Sequence, residues 1–571
     1  MAVILSLLSP RAHAAVFVVN STGDARDWST GDGLCSAVPF VSVCTLRAAV
    51  EQANASAGTD TIVLQNGAIH TLSLSGAGEA GSATGDLDLN SSIRIEVSGG
   101  GLATVRGKSG WDDPIFTVGD GADVRLSGLI ISRGLGGVKN LETLTLTGCV
   151  IEHNFGDGGV VNLGDLTLID TTVRDNVADR LGGGINNAAR LVLAGSHVIR
   201  NTARSGAGIA NQFELFVTSS TISDNHAESM GGGIYATVLA PGFESSVAID
   251  DSIIELNSAF QGGGIHHDSG TLDIVDTTLE DNAAELNGGG LNNQLAGPTR
   301  VTRSIFQGNS AVGGGAIANW YDSELTLDRV AITNNFASGS GGGIQNIAAV
   351  ATVTQSTFAL NFSGGVGGGI HSEGFDAGAF ASFLDLQNST LSGNRATDDG
   401  GGVFNGNVLV ARNVTIAFNT ADADADGEGD GGGLASPASD GVRAVLANTI
   451  VGSNRDLSPQ VRRRDCSGSV ESAGWNLIEA LSGCALTGNL QGNLIGISPR
   501  LLALADNGGS VPTHLPSGPT SATPSPALDT GAPPATTGEF RCSDRDQRSI
   551  LRPRDGNLDG IARCDIGAVE L

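Results

Sequence analysis

Apolar residues in the middle of this chain fall into one repeating frame: apolar, x, apolar, x, x, Ser or Thr, x, apolar, x, x, Asn. LTLIDTTVRDN ends at Asn176, LVLAGSHVIRN at Asn201, LFVTSSTISDN at Asn225, VAIDDSIIELN at Asn257 and LDIVDTTLEDN at Asn282. The frame runs on, with looser residues in some slots, through Asn309, Asn335, Asn361, Asn394, Asn419 and Asn454. The asparagine recurs every 22 to 35 residues and is usually followed by Gly-Gly-Gly or a near relative and then Ile, Val or Leu. A unit of that length cannot bury its apolar face alone, so the period predicts a solenoid. Two short alternating strands and one glycine-rich strand per unit predict a coil of parallel β-helix, each strand stacked on its equivalent one coil earlier.

At a strand spacing of ~4.8 Å, asparagines in one slot of successive coils lie within hydrogen-bonding reach of each other. The frame therefore predicts an asparagine ladder that satisfies a buried turn. A second polar row follows the glycines at Asn187, Asn211, Asn293, Asn319, Asn346 and Asn405. One repeat earlier, LTLTGCVIEHN ends at Asn154 and sets Cys149 in the Ser/Thr slot, where it reads as a packed thiol and not a nucleophile.

An open solenoid needs caps at both ends. CTLRAAVEQANA, Cys44 to Ala55, reads as a capping helix with Leu46, Ala49, Val50 and Ala53 on one face, and Asp60 to Leu64 as the next strand. After Asn454 the frame stops, and a Pro-rich stretch runs from His514 to Pro534. The expected organisation is a signal peptide over 1–15, an N-terminal cap over 16–66, β-helix repeats over 67–455 and a distinct C-terminal region over 456–571 that covers the far end.

The formal net charge of −29 disfavours nucleic acid, whose phosphates need clustered Lys and Arg. MAVILSLLSPRAHAA offers an apolar run from Ala2 to Leu8 and the small-x-small pattern Ala12-His13-Ala14, so export is expected. No later run approaches the ~20 apolar residues of a membrane helix. Six of the seven cysteines form sequence-local pairs, Cys35 with Cys44, Cys466 with Cys484 and Cys542 with Cys564, which fits disulfides in an exported protein.

Cys44-Thr-Leu-Arg-Ala-Ala49 resembles the CSLREA motif of secreted bacterial β-helix proteins, and Gly85 to Leu89, GDLDL, fits the same N-terminal region. Phe306-Gln-Gly-Asn309 with Gly314-Gly-Ala-Ile317 is similar to the FxxN and GGAI repeats of polymorphic outer-membrane proteins. ADNGGSVPTHLPSG (505–518), SPALDTGAP (525–533) and DGNLDGIARCDIGAVE (555–570) resemble the choice-of-anchor Q domain. These likenesses imply an all-β fold, a right-handed parallel β-helix of pectin-lyase-like type with a short N-terminal helix and a disulfide-bearing C-terminal segment, secreted or held at the cell surface.

Chemistry has few places to sit. Asp555-Gly-Asn557-Leu-Asp559-Gly560 matches the first half of a calcium loop, with Asp565 one residue short of the expected twelfth ligand. Asp422, Asp424, Asp426, Glu428 and Asp430 alternate in a loop of eleven residues after Asn419, either a calcium site or a solvated acidic loop. Calcium is the one cofactor expected.

In the repeat frame Glu255 and Glu280 share a slot in adjacent coils, as do Asp251 and Asp276, with Arg303 and Arg329 continuing the latter row. Carboxylates ~5 Å apart suit retaining glycoside hydrolysis, or, with calcium and Arg303, a polyuronate lyase. Asp175, Arg200 and Asp224 alternate sign and read as a neutralising row. His266 and His371 share a slot four coils apart, roughly 19 Å, too far to share a metal. His266-His267-Asp268 is a weak local motif because strand neighbours face opposite ways.

The leading expectation is an exported or surface-associated, non-enzymatic and monomeric protein whose long face serves adhesion or binds extracellular glycans or cell-surface components. The alternative is a calcium-dependent polysaccharide lyase or glycoside hydrolase on the same scaffold.

Overall fold

The computed structural model describes residues 14–119, 121–238, 245–375, 381–459, 463–533 and 540–571. The signal-peptide reading falls almost wholly on 1–13, outside the described residues. The chain is a right-handed parallel β-helix that divides into two compact units, Met1–Thr221 and Ile222–Leu571.

In the first unit, β1 (Val16–Val18) pairs in parallel with β2 (Asp60–Leu64), and the helix α1 (Leu46–Ala55) lies between them in sequence. The CSLREA-like residues each hold this cap. Cys44 is bonded to Cys35. Thr45 caps α1, its Oγ1 accepting from the Ala48 amide at 3.2 Å. Arg47, buried, donates to Asp24 at 2.6 Å and to the carbonyls of Ser82, Gly85 and Asp86. Behind it Asp86 and Asp88 of GDLDL are buried, and that burial pushes them up to about 7 and about 6.

Coils then stack in register. Val160, Leu166 and Val173 of one coil lie over Ile185, Leu191 and Val198 of the next, and all but Val160 are fully buried. Asn154, Asn176 and Asn201 form the expected ladder, each side-chain amide donating to the next Oδ1 at 3.0 Å. Asn140, Asn162, Asn187 and Asn211 form the second one at 2.6–2.8 Å. Cys149 is buried and free of any disulfide, its thiol pushed up to about 11 by burial, so it packs and does not react.

In the second unit an inward column of Ile254, Leu279, Phe306, Ile332, Phe358, Leu391, Ile416 and Val451 carries one fully buried side chain per coil. Beside it the ladder runs from Asn225 through Asn257, Asn282, Asn309, Asn335, Asn361, Asn394 and Asn419 to Asn454 at 2.8–3.1 Å. It ends on Asp465 Oδ1, 3.0 Å from Asn454 Nδ2.

The strand ladder runs past the last asparagine of the frame. Cys466–Gly474, Leu477–Ile478, Cys484–Gly488 and Leu494–Ile495 pair in parallel with the coils before them, so the solenoid extends to Ile495. The rest of the C-terminal region lies along a flank. Thr357 donates to the Pro512 carbonyl at 2.7 Å, Ser392 meets His514 at 2.8 Å, and Ala568 donates to Thr415 at 3.1 Å. All three expected disulfides form.

Candidate functional site

The strands Ile253–Glu255 and Thr278–Glu280 lie in register, and the frame's expected juxtaposition of Glu255 and Glu280 is realised on their outward face. Alternation makes this inevitable: Ile254 and Leu279 fill the core, so residues 253, 255, 278 and 280 turn outward. Glu255 is raised above its ordinary value, first by partial burial and then by Glu280, Asp224 and Asp281. Gln307 and Thr333 continue its row in the next two coils.

The second group of candidates sits elsewhere. Asp251, Asp276, Arg303 and Arg329 occupy one turn position at φ of 46–58°. Arg303 forms a bidentate pair with Asp276, Nη2 to Oδ2 at 2.6 Å and Nε to Oδ1 at 2.7 Å, which holds the Asp276 carboxyl below its usual range. Arg329 leaves the row for Asp328 of its own turn, at 2.6 Å. The turn precedes each three-residue strand and the glutamates end it, a separation along the backbone on the order of 10 Å. Arg303 and the Glu255–Glu280 pair therefore do not form one constellation. In the first unit Arg200 pairs with Asp175 at 2.8 Å, as a neutralising row requires.

Of the five acidic residues after Asn419, three converge: ligand-capable oxygens of Asp422, Asp424 and Asp426 lie within 4.8 Å of one another. Asp422 is buried and accepts from the Gly427 amide with both oxygens at 3.2 Å. Glu428 gives its amide to Asp426, and Asp430 is turned to Arg463. Asp398, opposite, is raised by burial and by Asp424 and Asp426.

In the C-terminal loop the candidate ligands cap their own backbone. Asp555 accepts from the amides of Asp559 and Gly560, Asn557 from Asp559, and Asp559 from Ile561. Asp565 lies beside Gly556 of this loop but accepts from the Asp529 and Leu571 amides, and its burial pushes it up to about 6.

The histidines are structural. His266 and His267 are both buried, so the expected alternation places neither in solvent. His266 packs edge-on to Tyr235 and meets Asn292 at 3.0 Å, and His267 takes an asparagine's place in the second ladder, 3.0 Å from Asn293 Oδ1. Burial depresses them to about 3 and about 4. His371 faces Glu373 at 3.1 Å.

Sequence reading missed one outward feature. Phe336 and Phe362 stack at 5.6 Å with planes 5° apart, on strands in register. Its signal was an aromatic residue directly after the ladder asparagine in Asn335-Phe336 and Asn361-Phe362.

A Chlamydia polymorphic membrane protein repeat matches residues 219–237. That stretch is another copy of the frame in which Phe306–Ile317 carried the likeness. No curated protein matches the chain. Among solved structures the crystal structure of pectate lyase Pel9A aligns at 13% identity, over 97% of this chain and 96% of that one, with a TM-score of 0.25. Among the described residues, no helix is long and apolar enough to cross a membrane. The β-helix assignment rests on the strand register itself, and the matched repeat is similar to one stretch of it.

Proposed function

We propose that this chain is an exported or surface-associated, non-enzymatic β-helix protein that presents an elongated face for adhesion, with extracellular glycans as its ligands. The observation that carries this reading is the pairing of a polar outward row, Glu255, Glu280, Gln307 and Thr333, with the stacked and partly exposed rings of Phe336 and Phe362 in the same run of coils. Carboxylates and amides in register offer hydrogen bonds to successive sugar hydroxyls, and aromatic faces take the apolar face of a sugar ring. The separation of Arg303 from the glutamates supports binding over lyase chemistry.

Purified chain would be incubated with neutral and acidic polysaccharides, with and without calcium, scoring co-sedimentation and new chain ends together. Retention without new ends, weakened at least fivefold by Phe336→Ala/Phe362→Ala, is the expected result. Absence of retention on every polysaccharide would reject glycans as the ligand.

The enzymatic alternative has one observation in its favour. Glu255 and Glu280 are adjacent carboxyls on strands in register, and Glu255 is raised by partial burial and by its neighbour, as the acid of a retaining glycosidase would be. New chain ends that vanish with Glu280→Gln would establish it in place of the leading reading.

A further inference from the structure

A strand edge at the start of a solenoid is normally covered or guarded by charge, proline or a bulge, because its unpaired backbone groups template another strand. Here the edge is β1. Ala15 O accepts from Thr61 N at 2.9 Å, Val19 N donates to Val63 O at 3.0 Å, and Phe17 registers with Ile62. Alternate residues of a parallel strand turn their N–H and C=O to the same neighbour, so Val16 and Val18 turn theirs to the opposite side. Among the described residues β1 pairs with β2 alone, and it carries neither proline nor charge.

That open edge is one wall of a groove of about 650 Å³. The other wall is the segment 27–44, pinned by the Cys35–Cys44 disulfide, which holds Trp28, Leu34, Phe40 and Val41 at 67%, 67%, 107% and 52% exposure. Large apolar side chains presented together beside a free strand edge mark an interaction site. The groove is also acidic: Asp27 and Asp32 line it, and among the described residues no Lys or Arg does. Asp27 spends Oδ1 on the Ser36 amide at 2.8 Å, while its Oδ2 is enclosed without a partner.

We propose that this groove takes an extended segment of a partner polypeptide by strand addition to β1, with apolar side chains against Trp28 and Phe40 and a Lys or Arg beside Asp27 and Asp32. Backbone pairing to Val16 and Val18 supplies the binding and the apolar wall sets which alternate side chains fit. The acidic lining, in a chain of net charge −29, selects a cationic segment. This site is independent of glycan binding by the second unit.

The test is fluorescence anisotropy of the full chain with a labelled nonapeptide of alternating valine and threonine bearing a lysine at each end. Expected are saturable binding, at least tenfold weaker binding by Trp28→Ala/Phe40→Ala, and the same loss for a peptide N-methylated at alternate residues or with glutamate for lysine. Both substituted rings are solvent-exposed, so the variant's thermal unfolding should match that of the parent.

No binding, or undiminished binding of the N-methylated peptide, would overturn strand addition. A concentration-dependent dimer in sedimentation that Trp28→Ala/Phe40→Ala abolishes would assign the groove to a second copy of the chain. Peptide binding that requires removal of residues 1–13 would assign it to the chain's own first residues. Either result also overturns the proposal.

Discussion

Through its side chain and backbone amide Asn282 carries five hydrogen bonds that differ in kind. Its side-chain amide donates to Ile254 O at 2.8 Å and Asn309 Oδ1 at 3.0 Å, its own backbone amide donates to that Oδ1 at 3.1 Å, and its Oδ1 accepts from the backbone and side-chain amides of Asn257, both at 3.1 Å. Asn282→Ala leaves several of these partners buried and unsatisfied, a cost of about 3 kcal/mol. Denaturant unfolding would read it, and a loss below about 1 kcal/mol would show the ladder to be dispensable. The ladder was legible because one residue type recurs in one slot. His267 was not, because a histidine can stand in an asparagine row only if its ring is neutral, and burial decides that. Its folded value, about 4, lies below the ordinary ~6.5 of histidine, so the unfolded chain takes up the proton first as pH falls. The stability held by the neutral ring is thus complete above about pH 6.5 and is lost toward pH 4. His267→Asn should restore the ladder, relieve the enclosed Nε2 that lacks a partner, and flatten the fall in Tm over that window. An unchanged pH profile would assign the slope to the other buried histidines, His70, His266 and His514.

Turns and glycine runs respond oppositely to substitution. The Asp276–Arg303 pair lies on an exposed turn, where attraction is screened and side-chain entropy opposes it, so Arg303→Ala should leave Tm unchanged at physiological salt. A clear drop would mean the turn row holds the coils together. Gly264 is the reverse case. A Cβ there would stand 2.6 Å from the Gly290 carbonyl of the next coil, and that backbone cannot retreat without breaking its own ladder. Gly264→Ala should therefore cost about 2 kcal/mol, seen in the same unfolding experiment. At this scale the sequence identified which residues share a slot, and the register of Glu255 with Glu280 follows from that alone. Which neighbour a long side chain takes did not follow. Arg329 has the slot of Arg303 but finds Asp328 closer in its own turn, and the Asp555–Asp559 oxygens find their own loop amides. Both choices depend on local rotamers and turn geometry, to which a periodic frame is blind.

The C-terminal region shows why a repeat frame can miss an arrangement that contains no repeat. The frame ends at Asn454 because Asp465 takes the ladder position, yet the coils go on to Ile495 with other residues in the slots. Beyond them the segment that sequence placed over the end lies on the flank, through contacts between residues 122 to 194 positions apart. Gln547 is central to it. Its Nε2 donates to Ser356 O at 2.9 Å and Thr357 Oγ1 at 2.8 Å, and its Oε1 accepts from Thr390 Oγ1 at 2.6 Å, so one side chain ties two adjacent coils. It is buried, so Gln547→Ala strips three hydrogen bonds and leaves the hydroxyls of Thr357 and Thr390 enclosed. The flank bears on these strands and, further along, on Thr415 and Asn448, and solenoid coils open locally. Amide exchange should rise about tenfold, the equivalent of ~1.4 kcal/mol, in Thr357–Ala359 and Thr390–Ser392. It should stay unchanged in Ile253–Glu255, whose outward face carries the glutamates. A rise along every coil would instead make the segment a clamp on the whole second unit, and retention on the proposed glycan ligands would then weaken with it. No rise in either strand would mean that the flank rests on the solenoid without stabilising it.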